Sequence, residues 1–510
     1  MVVNGKASEA TSTLSMRDFV AELEEAGELV SVDREVDWNL EMGAIARLCY
    51  ETGAPAPLFT DVKDARAGFR AIGAPMGVSR QAGRELARIA LALGLPTSAT
   101  AREIIEVLVT ARTRPPIAPA VVDSAPCKQH IWRDGDVDLT SLPIPLLHVG
   151  DGGRYLNTLG MVITRTPDRR WTSWAIARIM LLDERRASYA ILPFQHTGRV
   201  LKEWRQRGED MPVAVALGVP PIALYAAGMP LPEDMDEDGY AGAFARAPIE
   251  VVRCESVDLE VPAESEIVLE GRVSLEEHAL EGPFGDYSGY MSPDHPIPGP
   301  IYTIDAMTFR DEPIYPFTCS GEPPDETHTV WGVATAAEAV HMLRERGIPV
   351  TTGWCPFAAA NGWLVVTVPE HWRTVDADAE AFCRVVGDVV FATKLRIAIN
   401  TIIVCQDDVD PSNLRELVWA IDGRRNGSVA FAEKLGFAFS PYTRPDSADF
   451  PKGWEATGEV WNLLPPEGVT RPARTRFEDN YPESVKDRVR QHWREDGFAG
   501  EFDQEAAAQR

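Results

Sequence analysis

Between residues 155 and 310 the chain keeps returning to short apolar, β-branched runs. They are TLGMVITRT (158–166), YAILP (189–193), IEVVRC (249–254), IVLEGRV (267–273) and IYTIDAMTF (301–309), and polar turns rather than long helices separate most of them. A parallel pair needs a crossover of about a dozen residues or more, usually a helix, whereas antiparallel neighbours close through short turns. The pattern therefore predicts a largely antiparallel sheet or barrel in the middle of the chain and disfavours a doubly wound one.

The flanks follow a different pattern. Ser15 and Asp18 read as a capping box for the helix RDFVAELEEAG: the serine oxygen takes an orphan amide and the acid suits the positive helix end. RQAGRELARIALALG (80–94) has the apolar spacing of a second helix, and a turn-rich strip with Pro115, Pro116 and PIPLL (143–147) follows it. Beyond about residue 330 helix and strand patterns alternate: helix at TAAEAVHMLRERG (335–347), strand at GWLVVTV (362–368), helix near AEAFCRVVG, strand at RIAINTIIVC (396–405), helix at NLRELVWAID. That alternation predicts an α/β layer. Pro and charge dominate after 440, ahead of a final helix near PESVKDRVRQHWRE (482–495). A chain of 510 residues exceeds one ordinary domain. The changes of pattern divide it into an N-terminal α/β domain (1–125), a central β domain (126–330) and a C-terminal α/β domain (331–510).

Charge and cysteine usage narrow the partners. Fifty Lys and Arg against 77 Asp and Glu leave a net charge of −27, a surface that repels phosphate backbones and anionic lipid, so neither nucleic acid nor membrane is expected. An anionic small substrate then needs a local basic pocket. No apolar stretch approaches the ~18 residues of a spanning helix, and MVVNGKASEATSTLS lacks the pattern of a signal peptide. The seven cysteines are scattered, odd in number and without a CxxC pair, which reads as reduced thiols in the cytoplasm.

Generic catalytic signatures are missing: there is no GxGxxG after a strand, no Walker loop, no HExxH and no GxSxG. What remains is a set of polar residues inside the β-rich segment. Arg178 sits in the apolar WTSWAIARIM (171–180); a buried guanidinium must be paired or await an anion, and a structural salt bridge is the simpler account when it is read alone. His196 in PFQHTG (193–198) follows a short strand, where ligands often bind, although a lone histidine is more often structural. Glu237 belongs to MDEDGYAGAF (235–244), most simply a solvated acidic loop unless one member turns inward to join His196 at a hard cation. Glu281 and Asp286 are the most telling: the Gly-Pro-Phe-Gly between them forces a tight loop with two carboxylates on a short tether. Two carboxylates near one arginine suit proton transfer, and an incidental surface turn is the bland alternative. PPDETHTVWG (323–332) offers Asp325, Glu326 and His328 as site or loop-stabilising groups.

Taken together these segments resemble the UbiD family of reversible decarboxylases, which use prenylated FMN. The resemblance runs from about residue 15 to 495, through WTSWAIARIM, PFQHTG, VALGVPPIALYAAGMP (215–230), EDGYAGA (237–243), EIVLEG (266–271), EGPFGDYSGY (281–290), DETHTVWG, VGDVVFATK (386–394) and NYPESVKDRV, in the family's order. It implies a central split β-barrel that holds the cofactor and a C-terminal domain that mediates homodimerisation. It implies that Arg178 grips the substrate carboxylate, that Glu281 donates the proton replacing CO2, and that Asp286 holds the arginine and tunes the glutamate. It further implies a divalent cation, usually manganese, that binds the cofactor phosphate through His196, Glu237 and the position of Ser173, where the family carries Asn. A serine hydroxyl is a shorter and weaker ligand than an amide carbonyl. A potassium ion is implied at backbone carbonyls around Trp174, Ala226, Ala227 and Met229, with Glu237 between the two metals. Lys394 matches the lysine near the phosphate, and Ile176, Ala177, Gln195 and Thr327 fall on cofactor-lining positions. Trp331, Phe437 and Phe439 fall near the substrate wall, which implies a flat apolar pocket. Asp286 is a second departure, since some members carry Glu there.

Losing CO2 from an sp² carbon leaves a carbanion that needs an electron sink, and no amino acid supplies one. The resemblance implies that the modified flavin does so through a covalent adduct with the substrate. The expected activity is decarboxylation of an aromatic, heteroaromatic (including polycyclic) or α,β-unsaturated carboxylic acid, with a flavin prenyltransferase supplying the cofactor. Two rival readings stay open at this point: an ordinary FMN redox flavoprotein on a split barrel, and a non-catalytic carrier of prenylated flavin.

Overall fold

The computed structural model describes residues 15–193, 195–291, 296–431, 457–469 and 474–498. Phe437 and Phe439, expected at the substrate wall, lie outside these residues.

Four sheets organise the described chain. The largest has nine strands, and every described pairing in it is antiparallel. Its path runs Tyr155–Asn157, Ile179–Leu181, Arg186–Tyr189, Ile297–Phe309, Ile267–Glu281, Met211–Leu217, Met161–Arg165, Thr172–Ile176, with His130–Arg133 paired beside Ile297–Phe309. Met211–Leu217 is buried at all seven positions, because both faces of the sheet are covered there. It was not among the expected runs.

The register shows that this sheet curls. Thr172–Ile176 and Ile179–Leu181 are consecutive in the chain, yet six inter-strand steps separate them along the hydrogen-bonded path. A flat sheet would hold them roughly 29 Å apart at ~4.8 Å per step. The link between Ile176 and Ile179 reaches only about 11 Å. The two ends must therefore approach each other as a half-barrel, with Ala177 and Arg178 at the seam. This closure places the functional residues.

A four-stranded sheet is built from Leu29–Val32, Ala56–Phe59, Arg70–Gly73 and Ile314–Phe317, so the last strand returns to the N-terminal part of the chain. The five-stranded sheet near the C-terminus has parallel pairs at its centre, Trp363–Val368 with Thr401–Gln406 and Thr401–Gln406 with Gly458–Asn462. Helices Val333–Glu345, Ala379–Phe391 and Leu414–Arg424 complete the expected α/β layer. The Ser15–Asp18 capping box is present in full at Met16–Glu25, and the C-terminal helix spans Glu483–His492.

Several expectations are corrected. The run IEVVRC is not in the central sheet: Glu250–Arg253 pairs in parallel with Ala120–Val122 and antiparallel with Glu260–Pro262 in a separate three-stranded sheet. The strand in YAILP ends at Tyr189, and the chain turns at Leu192, whose carbonyl accepts from Gln195 N, to enter helix His196–Arg207. The helix foreseen at 80–94 shrinks to Ala87–Ala92. Its first half is drawn into turns: Ser79 Oγ donates to Glu28, Gln81 N donates to Ser79 Oγ, and Arg80 N donates to Gly53 O. Arg88 is fully buried there and donates to Ala74 O at 3.0 Å, beside Glu28 at 3.4 Å. None of the seven cysteines is in a disulfide. Among the described residues no helix is long and apolar enough to cross a membrane.

Candidate active site

The seam brings together residues that are far apart in sequence. Asn157 pins it, since its Nδ2 donates to Ala177 O at 2.8 Å and Gly160 O at 3.2 Å. Arg178 then projects to the end of strand Ile267–Glu281, whose last residue is Glu281. The guanidinium and carboxylate pair side-on: Arg178 Nε donates to Glu281 Oε1 at 2.8 Å and Nη2 to Oε2 at 3.1 Å. Arg178 Nη1 donates to Asp286 Oδ2 at 3.4 Å. The fork of an arginine matches this two-carboxylate geometry; a lysine ammonium would not.

The turn between the acids is fixed from below. Gly152 N donates to Pro283 O at 2.8 Å, and Gly285 N donates to Asp151 Oδ1 at 2.8 Å. A β-carbon on Gly285 would lie 2.3 Å from His148 Nδ1, so the tether needs glycine there. Asp151 also bonds His148, whose Nε2 faces Cys319 Sγ at 3.4 Å. Burial works against the His148 cation, but hydrogen bonds to Asp151 and Cys319 raise it to about 10.

Exposure separates the roles available to the trio. The Glu281 side chain is 0% exposed, while those of Arg178 and Asp286 keep 20% and 11%. The arginine side chain thus keeps partial solvent access while the glutamate has none. Burial opposes the Arg178 charge, yet Glu281 and Asp286 more than offset it and hold the guanidinium above its ordinary range. The Phe284 ring covers Arg178 at 5.1 Å and packs on Tyr155 at 4.4 Å. Tyr155, which the sequence reading missed, donates from Oη to Glu281 Oε1 at 2.8 Å.

A second cluster lies on the same stretch of chain. Glu237, the first residue of helix Glu237–Ala245, is buried rather than solvated, contrary to the plain reading of its acidic run. Its Oε2 accepts from Trp174 N at 2.9 Å and its Oε1 faces His196 Nδ1 at 2.9 Å. Lys394 Nζ meets His196 Nε2 at 2.7 Å. An ammonium has only donors, so Nε2 accepts and Nδ1 carries the ring hydrogen toward Glu237. Burial pulls the Lys394 ammonium down to about 8, against the pull of Glu237, Glu338 and Glu233. Ser173, one residue before the Trp174 amide, is fully buried with no hydrogen-bond partner for its Oγ. A buried hydroxyl without a partner is costly and points to a group that completes it. Among the described residues no three His, Cys, Asp or Glu side chains converge as a metal set.

The remaining expected residues stand on neighbouring elements. Ile176 ends strand Thr172–Ile176, and Gln195 caps helix His196–Arg207. Ala226 and Ala227 lie in the last turn of Pro221–Gly228, with Met229 as its cap. Met229 N donates to Ala226 O at 3.1 Å and Leu231 N to Met229 O at 2.8 Å, which leaves a second lone pair on each carbonyl. Thr327 and Trp331 belong to the π-helical turn Thr327–Gly332; Thr327 O accepts from Asn361, and Trp331 meets Tyr287 edge-on at 5.7 Å. The polar side chains of DETHT brace their own loop and its neighbours. Asp325 accepts from Thr327 N and Gly321 N, Glu326 from Tyr50 and Met76 N, and His328 bridges Asp325 N and Tyr287 O.

Comparison with known proteins finds matches over nearly the whole chain. Three family models match: the N-terminal domain of 3-octaprenyl-4-hydroxybenzoate carboxy-lyase (UbiD) at residues 20–108, its Rift-related domain at 120–323 and its C-terminal domain at 328–446. The chain is 40% identical to pyrrole-2-carboxylic acid decarboxylase of Pseudomonas aeruginosa over 494 residues, 96% of this chain and 99% of that protein. It is 37% identical to ferulic acid decarboxylase 1 of Saccharomyces cerevisiae over 497 residues, 95% and 98% of the two chains. Among solved structures, an evolved dimeric form of the UbiD-class enzyme HmfF of Pelotomaculum thermopropionicum with prFMN superposes with a TM-score of 0.74 at 25% identity, covering 91% and 98%. Vanillic acid decarboxylase of Sedimentibacter hydroxybenzoicus in its closed form shares the fold at a TM-score of 0.78 and 23% identity, covering 95% and 100%.

Proposed function

The chain belongs to the UbiD family of carboxy-lyases and is a decarboxylase of that class, and from this premise we propose that it acts on an aromatic or heteroaromatic carboxylic acid with Glu281 as the proton donor. The observation that carries the proposal is the Arg178–Glu281–Asp286 trio at the barrel seam, with its arginine partly exposed and its glutamate fully enclosed. A redox flavoprotein or a flavin carrier has no use for a water-shielded acid on a guanidinium. α,β-Unsaturated acids of the cinnamate type remain in the substrate range, as the similarity to ferulic acid decarboxylase supports.

Two clusters on one short stretch suit a mononucleotide. Ser173 and Arg178 are five residues apart, at most about 17 Å of extended chain. Ser173, His196, Glu237 and Lys394 would hold its phosphate end, while Arg178, Glu281 and Asp286 face its ring end. Ile176, Ala177, Gln195 and Thr327 line it. Prenylated FMN, when bound, supplies the sink for the electron pair left on carbon as CO2 departs. Arg178 orients the substrate carboxylate through its exposed edge, and Asp286 holds the arginine in register. Glu281, shielded from water, hands its proton to the carbon that lost CO2.

A divalent cation of the manganese class fits the phosphate end. Adjacent ligand atoms around an octahedral ion at ~2.1 Å stand about 3 Å apart, close to the 2.9 Å between His196 Nδ1 and Glu237 Oε1. The orphaned Ser173 hydroxyl is the third donor, in place of an amide. With Nδ1 on a cation the ring hydrogen moves to Nε2, and Lys394 needs another partner, which an anionic phosphate provides. Potassium at the carbonyls of Trp174, Ala226, Ala227 and Met229 completes the assignment. His196→Ala is expected to lower manganese and flavin content together, read by metal analysis and flavin absorbance of the purified protein. Unchanged metal content would reject His196 as a ligand.

We assign a cytoplasmic homodimer, supported by seven free thiols and by the evolved dimeric form of the HmfF relative, with a flavin prenyltransferase as cofactor supplier. The three-unit division at 125 and 330 is supported by the spans of the family models. The test is CO2 release by protein co-expressed with a flavin prenyltransferase, over pyrrole-2-carboxylate, furan and benzoic acids, polycyclic aryl acids and cinnamates. Release from an aromatic or heteroaromatic acid is expected. An unmodified flavin spectrum with NAD(P)H turnover and no CO2 would reject the reading.

A further inference from the structure

Tyr155 has two acceptors for one hydrogen. Its Oη stands 2.8 Å from Glu281 Oε1 and 3.2 Å from Pro283 O. The phenol is fully buried, and its ring is braced by Phe284. Burial, with the Glu281 charge adding to it, keeps the phenol far above its ordinary range, so the group stays O–H at every working pH. Among the described residues Arg178 and Tyr155 bond Glu281, Asp286 shares the same guanidinium, and the Asp151 charge acts on the tyrosine.

A general acid must exist in two states, and each state needs a different partner. The carboxylate accepts three donors here: Arg178 Nε, Arg178 Nη2 and Tyr155 Oη. The carboxylic acid has one O–H to place and needs an acceptor. A hydroxyl serves either need, provided its own hydrogen has somewhere to go when it turns. The Pro283 carbonyl is that second place, fixed by Gly152 N at 2.8 Å. We propose that Tyr155 is a positioning residue for the proton donor: its hydroxyl donates to Glu281 while the acid is ionised, and turns to Pro283 O to accept from Glu281 once the acid is protonated. This rests on the reading of Glu281 as donor. It adds a residue that acts through Glu281 rather than on the substrate.

Removing the hydroxyl takes a donor from a charged acceptor and only an acceptor from a neutral acid. Bonds to charged groups are the stronger kind, so Tyr155→Phe favours protonated Glu281. The basic limb of the kcat profile of the Tyr155→Phe holoenzyme should move up by about one pH unit, with KM within about twofold. Replacing Tyr155 by 3-fluorotyrosine, a stronger donor, should move the limb the other way. Infrared difference spectra of the full-length protein supply a readout independent of turnover. At a pH where wild type shows only carboxylate, Tyr155→Phe should show a carboxylic acid C=O band that vanishes in Tyr155→Phe/Glu281→Gln. If no acid is ever decarboxylated, the functional reading fails while the band still tests Tyr155. Infrared spectra identical in wild type and Tyr155→Phe at every pH overturn the proposal, whatever happens to kcat.

Discussion

Glu281→Gln should leave the fold and the bound cofactor intact and lower decarboxylation by about 10²–10⁴-fold, the usual range for a lost general acid. Glutamine keeps the shape and one acceptor for Arg178, but it has no proton to give at any accessible pH. The arginine retains Asp286 as its counter-charge, so the substitution leaves no unpaired cation at the seam. Loss of activity should therefore come without loss of expression, flavin absorbance or melting temperature. KM should change little, because the arginine proposed to grip the substrate carboxylate is untouched. The checks are kcat and KM at equal cofactor loading. An active Glu281→Gln enzyme would remove the proton donor from the account.

Arg178→Ala should cost both activity and stability. The arginine is the cation shared by two buried or nearly buried carboxylates, one fully enclosed and one 11% exposed. Removing one partner of a buried pair typically costs about 3–5 kcal/mol, because the other charge is left uncompensated. Thermal melts should show that loss as a lower melting temperature. Turnover should fall to background, with substrate affinity lost alongside kcat, since Arg178 is the cation proposed to hold the substrate carboxylate. Arg178→Lys restores the charge but not the fork, and should recover stability better than turnover. An Arg178→Ala enzyme with wild-type KM would take substrate binding away from this residue.

What was legible in the sequence followed the range of the physics involved. Strand type is local: alternation and turn spacing between 155 and 310 announce an antiparallel sheet, and the described pairings of the large sheet are antiparallel. The capping box at Ser15 is local too, and it is present. Closure of the sheet is not local. It follows from which strands pair, and nothing in WTSWAIARIM states that its two halves lie at opposite ends of one path. The pairing of Arg178 with Glu281, 103 residues apart, was accessible only through resemblance to a family. Tyr155 was missed because RYLNTLG reads as an ordinary buried strand and its hydroxyl finds a partner only in the folded chain. The helix foreseen at 80–94 failed because a buried Arg88 and Glu28 draw its first turns into polar contacts that periodicity cannot register. Glu237 stood in an acidic run most simply read as solvated, and the alternative, one member turned inward to His196, is the arrangement the fold adopts.

The central claim is that Glu281 delivers the proton to the carbon that loses CO2. Its most direct test is exchange of product hydrogen with D2O, without added CO2, by wild type and Glu281→Gln at matched prenylated-FMN content. Wild type should wash one deuterium into the position vacated by the carboxylate, and Glu281→Gln should leave the product unlabelled over the same time. Labelling by Glu281→Gln at the wild-type rate would contradict the account.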